Sequence, residues 1–263
     1  MIEQAQEPIL NPIEMALPDE KVVAARIREN TAYVALFEEL LGRSSMDSPA
    51  RILVSIATAI ASFEETAEFA TFDSKYDRYL RGEAALSRDE ELGRALFFSE
   101  LVNCNRCHLV DRREHRANEV FTNHRYHNIG VPANAEVRSR NHLGAEYVDF
   151  GLLQNPRVSG SAQAGRFRVP SLRNVAVTGP YMHNGVFRNL ETAVLFYNQF
   201  LVDAVDGRIN PETGTPWGPP EVPQTVDRDL LREGQPLTRE RVAFLVAFLE
   251  TLTDRRYEQL LER

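Results

Sequence analysis

The chain has 263 residues, of which 43% are apolar and 26% charged, with a formal net charge of −8 at pH 7. That is enough apolar material for one or two buried cores, which excludes a disordered tail, a collagen-like repeat and a disulfide-dense miniprotein. The acidic balance, with Lys21 and Lys75 as the only lysines and the arginines interspersed with Asp and Glu, excludes a nucleic-acid surface, and no apolar run is long enough to span a bilayer.

In chain order, the opening MIEQAQEPILNPIEM has neither the basic nor the apolar region of a signal peptide. Residues 20–30 and 32–42 place apolar side chains at helical spacing, and Gly42 reads as a C-cap. Ser48 and Pro49 open a longer helix in which Ile52, Ile56, Ile60 and Phe63 share a face. After the polar stretch FDSKYDRYLRGEAAL, Ser87 followed by Asp89 and Glu90 reads as the cap of a helix running towards Cys104. Residues 109–168 are rich in Asn, Gly, Arg and Pro and predict irregular loops, which at that length usually wrap a site or a cofactor. Helix resumes over 189–202, a Pro-rich connection occupies 210–223, and a last helix covers 238–253. There is no internal repeat and no convincing strand pair.

The only two cysteines stand in Cys104-Asn105-Arg106-Cys107-His108, the C-x-x-C-H pattern of covalent c-type haem attachment. Along one helical turn both thiols reach the haem vinyl groups while the adjacent imidazole ligates iron. A zinc site lacks a second cysteine pair, and a thioredoxin-like dithiol lacks its βαβ frame. The second axial ligand decides the chemistry, because a thioether raises the potential and an open face admits peroxide or oxygen. Met182, in the Gly- and Pro-bounded loop TGPYMHNG, is the candidate, with ordinary packing as the alternative and His183 as a rival ligand. His124 and His127 are more often surface or supporting histidines than ligands. Arg173 either grips a haem propionate through its planar fork or is structural. Trp217, the only tryptophan, plugs a crevice on the bland reading. Glu14 is an acid–base carboxylate or simply a residue near a helix start.

The segments NPIEMA, YDRYLRGE, ELGRALFF before CNRCH, YHNIG, GRFRVPSLRNVAVTGPYMHNGVFRNLETAVLFYN and the closing LVAFLETLTD together resemble the bacterial di-haem cytochrome c peroxidase and MauG family over essentially the whole chain. The resemblance implies an all-α fold: a cytochrome c-like haem domain over 84–263, preceded by a helical segment over 1–83. It implies that Cys104, Cys107 and His108 anchor and ligate one haem c with Met182 as distal ligand. A MauG-type member with Tyr at that position would differ, so Met182 favours the peroxidase-like form. It also implies that Gln4 and Glu14 flank the peroxide-binding face of a second haem, where the carboxylate moves a proton during O–O cleavage. That replaces the bland reading of Glu14.

Family members carry two C-x-x-C-H motifs, whereas this sequence holds one, so the peroxidatic haem and its proximal histidine are expected on an upstream segment and Met1 reads as an internal start. A periplasmic location follows from where c-type haem is attached. The expected partners are hydrogen peroxide and a small cytochrome c or cupredoxin donor; a calcium ion and a homodimer are further family expectations. Two other functions remain open: a stand-alone mono-haem electron carrier, and a MauG-like oxidase of aromatic residues on a protein.

Overall fold

A computed structural model describes residues 1–12, 14–110, 119–201 and 205–261. The chain forms two compact units, Met1–Thr71 and Phe72–Arg263. The sequence expectation had placed the boundary after residue 83. The segment 72–83 belongs with the C-terminal unit, because Ser74 bridges to Asp254 and Tyr76 N–H donates to the Thr251 carbonyl at 2.9 Å.

The N-terminal unit is built from α1 (Ile2–Leu10), α2 (Glu20–Arg28), α3 (Thr31–Leu41) and α4 (Pro49–Glu64). Its helix starts are chemically marked. Asp19 accepts from Lys21 N at 2.8 Å and Val22 N at 3.0 Å, Asn30 accepts from Ala32 N, and Ser48 accepts from Arg51 N ahead of Pro49 at the first turn. Gly42 ends α3 at φ 87°, where a side chain would be strained. Helix α4 buries only part of the face that its isoleucines and Phe63 outline, with Ile56 packed against the core. Ile52 and the row Leu53, Ala57, Ala61 are buried, while Phe63 is 55% exposed. Small alanines on the inner stripe let α1 and α2 approach closely, and Ile9, Val23 and Leu53 close the joint.

The C-terminal unit adds α5 (Lys75–Leu80), α6 (Arg88–Phe97), α7 (Ala135–Arg140), α8 (Leu190–Leu195), α9 (Arg228–Leu231) and α10 (Arg239–Glu250). Both α5 and α6 begin with reciprocal capping boxes, Ser74 with Asp77 and Ser87 with Glu90. The core forms where α6 and α10 cross. Gly93 makes that crossing possible, since a Cβ there would lie 1.8 Å from the Phe244 carbonyl oxygen and 2.8 Å from Phe248 Cβ. Around it Tyr76, Phe97, Phe121 and Phe248 are buried, with Tyr76–Phe248 and Phe97–Phe248 ring centroids 5.3 and 5.2 Å apart.

Two minimal strand pairs interrupt the helical fold: β1 (Tyr126–His127) with β2 (Phe167–Arg168), and β3 (Ile209–Asn210) with β4 (Thr215–Pro216), both antiparallel. The sequence predicts neither, because two residues per strand leave no alternation to read. Within the expected irregular region 109–168, residues 111–118 lie outside the described residues. The rest is loop apart from α7, β1, β2 and two short 3-10 turns at Leu152–Gln154 and Ser161–Gln163. The helix expected over 189–202 is α for Leu190–Leu195 and tightens to 3-10 over Phe196–Phe200. No helix among the described residues is long and apolar enough to cross a membrane.

Candidate functional site

A cavity of about 500 Å³ opens within the C-terminal unit beside the α6–α10 core. Cys104, Cys107 and His108 lie on its wall, as do Met182 and His183, and the apolar remainder includes Phe97, Leu172, Leu237, Leu245 and Leu249. The volume is that of a site for a sizeable organic cofactor.

Local chain geometry presents the thiols and the imidazole together. Asn103 takes a left-handed conformation, φ 55°, to turn the chain after α6, and Cys104–Arg106 forms one 3-10 turn. His108 N–H donates to the Cys104 carbonyl at 3.0 Å, and Asn123 N–H pins the Cys107 carbonyl at 2.8 Å. Both cysteines are free thiols. Burial pushes Cys104 up to about 12 and raises Cys107 as well, so neither is a thiolate at neutral pH. That state does not suit a nucleophile.

His108 Nδ1 lies 2.9 Å from the Phe121 carbonyl oxygen. A carbonyl only accepts, so Nδ1 carries the proton and the Nε2 lone pair is available to a metal. Burial lowers the imidazole pKa and keeps the ring neutral, the form that ligates.

The loop carrying Met182 is clamped from both sides. Tyr181 N–H donates to the Phe187 carbonyl at 2.6 Å, and Asn184 Nδ2 donates to the Pro132 carbonyl at 2.8 Å. Met182 itself has φ 69°, a left-handed conformation that costs a non-glycine residue on the order of 1 kcal/mol or more. Its side chain packs against the cluster of Phe187, Phe196 and Trp217. Trp217 fills the space behind that loop, edge-on to Phe187 at 5.4 Å and Phe196 at 5.3 Å, with its indole N–H on the Gly207 carbonyl. His183 also lines the cavity, but its ring stacks on Phe167 with centroids 3.5 Å apart and burial pushes its pKa down to about 4.

The other sequence candidates separate. His127 lines the cavity with Nδ1 2.9 Å from Asp227, whose other oxygen accepts from Arg166 at 2.8 Å. His124 is not on the wall and instead accepts from Arg168 Nη2 at 2.8 Å. Arg173 is not on the wall either. Its fork closes on the fully buried carboxylate of Asp77, its Nε donates to the Glu119 carbonyl at 2.6 Å, and its face lies over the Phe72 and Phe121 rings. Gln4 on α1 and Glu14 in the turn beyond it are exposed in the N-terminal unit, where Glu14 accepts from Asn11 Nδ2 at 2.9 Å. Among the described residues no group of three or more His, Cys, Asp or Glu assembles as an ion site, so the calcium expectation finds no side-chain cluster.

Two wall residues escaped the sequence reading. Tyr197 lies close to both thiols, and burial raises its pKa. Glu221 binds Arg138 and accepts from Asp149 N at 2.8 Å through one oxygen, while its other oxygen is buried without a partner among the described residues. The only signal for Glu221 was a Pro-rich stretch, which carries no chemistry of its own.

The donor set fits haem c: two neutral thiols one turn apart, an imidazole with a directed lone pair and a thioether, all on one largely apolar cavity.

A family model described as di-haem cytochrome c peroxidase matches residues 1–85. The methylamine utilization protein MauG of Paracoccus denitrificans is 52% identical over 260 residues, covering 99% of this chain and 67% of the relative. The cytochrome c551 peroxidase of Nitrosomonas europaea is 34% identical over 196 residues, 73% of this chain and 49% of its own length. Among solved structures, the diheme peroxidase BthA from Burkholderia thailandensis superposes with a TM-score of 0.80 at 29% identity, over 98% of this chain and 64% of that one. The chain thus spans about half to two thirds of the length of these relatives.

Proposed function

The chain belongs to the di-haem cytochrome c peroxidase and MauG family of haem oxidoreductases, and from that premise we propose that its C-terminal unit is a high-potential c-type cytochrome domain serving peroxide reduction. Cys104 and Cys107 would anchor haem c through thioether bonds, and His108 and Met182 would supply the imidazole and thioether that hold its iron. When bound there, the haem supplies a one-electron iron couple whose potential the thioether raises. The single observation that supports this reading is that the two thiols, the imidazole and the Met182 thioether line one apolar cavity.

The protein residues then have distinct tasks. His108 is held in one tautomer by Phe121, so the iron-facing nitrogen needs no reorganisation. Phe97, Leu172, Leu245 and Leu249 give the cavity an apolar wall, which would exclude water from a group bound there. Electrons would arrive singly from a small cytochrome c or cupredoxin in the periplasm and pass to a second, peroxidatic haem that this sequence does not anchor. Two electrons and two protons convert one hydrogen peroxide to two waters. Glu14 would carry a proton at that second site, which Gln4 would also flank.

Mass spectrometry of protein matured by a c-type haem system tests the proposal. One covalently attached haem is expected, abolished in the Cys104→Ala, Cys107→Ala double variant; a haem-free chain would overturn it. A second reading, MauG-like oxidation of an aromatic residue on a protein substrate, is favoured by the 52% identity to the Paracoccus protein. Steady-state peroxide turnover of the two-haem enzyme with a reduced small cytochrome c separates the readings, being fast for a peroxidase and slow for a MauG-like oxidase.

A further inference from the structure

A second concavity, about 540 Å³ in volume, lies on the C-terminal unit beside α9. Its size is that of a small-molecule site. Phe200, Pro216 and the indole of Trp217 give it an apolar wall, while Gln199, Arg228 and Arg232 give it nitrogen donors, with Arg208 on the same rim. No carboxylate stands among the described lining residues, although the chain as a whole is acidic. Arg228 and Arg232 are exposed, and among the described residues neither joins a salt bridge. Their i,i+4 spacing across α9 and its C-cap puts them on one face, while Leu230 and Leu231 line the haem cavity. The Gln199 Nε2 is closed off from solvent and has no acceptor among the described residues. Buried N–H groups without a partner are uncommon and ask for an explanation.

We propose that this concavity binds a small aryl carboxylate. The carboxylate would sit between the Arg228 and Arg232 guanidiniums, whose planar forks match its two oxygens. The ring would lie against Trp217 and Pro216, and rotation about the broad terminal torsion of Gln199 would give its amide an acceptor. A compact inorganic anion leaves the indole wall uncovered, and an uncharged arene leaves the guanidiniums unanswered, so the lining calls for both parts in one molecule. The two cavities have Leu201 in common, and the inference does not depend on haem ligation.

Calorimetric titration of the holoprotein with benzoate, inorganic phosphate and benzyl alcohol at low ionic strength tests this. Benzoate is expected to bind saturably at one site, with phosphate and benzyl alcohol at least about tenfold weaker. The Arg228→Ala, Arg232→Ala double variant, altered only at exposed positions, should lose at least about tenfold in benzoate affinity with an unchanged haem spectrum. Gln199→Leu should weaken benzoate as well. Absence of saturable benzoate binding, phosphate binding equal to benzoate, or unchanged affinity in the double arginine variant would overturn the proposal.

Discussion

Arg173 and Asp77 meet in a bidentate ion pair at the base of the C-terminal unit, between a fully buried carboxylate and a guanidinium only 12% exposed. The pair ties the first turn of α5 to the loop that leads to Met182, and Ser74 donates to the same carboxylate at 2.6 Å. Breaking one partner of such a buried pair leaves the other charge uncompensated, which costs about 3–5 kcal/mol.

Arg173→Met is therefore expected to lower stability by about 3 kcal/mol or more while the haem absorption spectrum and midpoint potential stay as in the parent. Denaturant unfolding of the holoprotein and a potentiometric titration check both halves. A potential shift without loss of stability would favour the alternative in which Arg173 grips a haem propionate.

The α6–α10 crossing makes a second prediction. Gly93→Ala forces a methyl group into the Phe244 backbone, which cannot retreat as a flexible side chain can. A loss of about 3 kcal/mol follows, or roughly 6–12 °C in Tm for a unit of this size. Gly144→Ala serves as a control, because its Cβ would meet nothing within 4 Å, although its positive φ still carries a small cost. Scanning calorimetry of the two variants should separate them clearly.

Acid sensitivity should report on Glu212. Burial raises its pKa, but hydrogen bonds from the Arg188 and Asn189 backbone N–H groups at the start of α8 outweigh this and lower it overall. A depressed folded pKa means that the carboxylate's contribution is complete above the unfolded value of about 4.3 and is lost as pH falls through the folded pKa. Glu212→Gln should thus cost about 1 kcal/mol at pH 7, discounted for partial exposure, with the difference from the parent vanishing in acid. A difference that persists unchanged to low pH would mean the charge is irrelevant there.

Much of this was readable from residues alone, and the failures have physical causes. Ser48–Pro49 and Ser87 with Glu90 mark helix starts because caps are local chemistry, and C-x-x-C-H points to the cavity because its spacing is that of one turn. The Ser74–Asp77 box was passed over since Asp replaces the usual Glu or Gln inside a polar stretch. The partner of Arg173 lies 96 residues away, and that of His127 lies 100 away, so neither leaves a local trace. The buried stripe of α4 joins Ile52 and Leu53 to Ala57 and Ala61, small residues that add little to the apolar pattern of the sequence.

His108 and Met182 line one cavity and would both ligate the haem iron held there. Near-infrared absorption of the ferric holoprotein, parent against Met182→Ala, tests this most directly. The parent should show the methionine-to-iron charge-transfer band, and the variant should lose it, shift toward high spin and fall in midpoint potential. A parent without the band, or a variant that keeps it, would contradict the assignment.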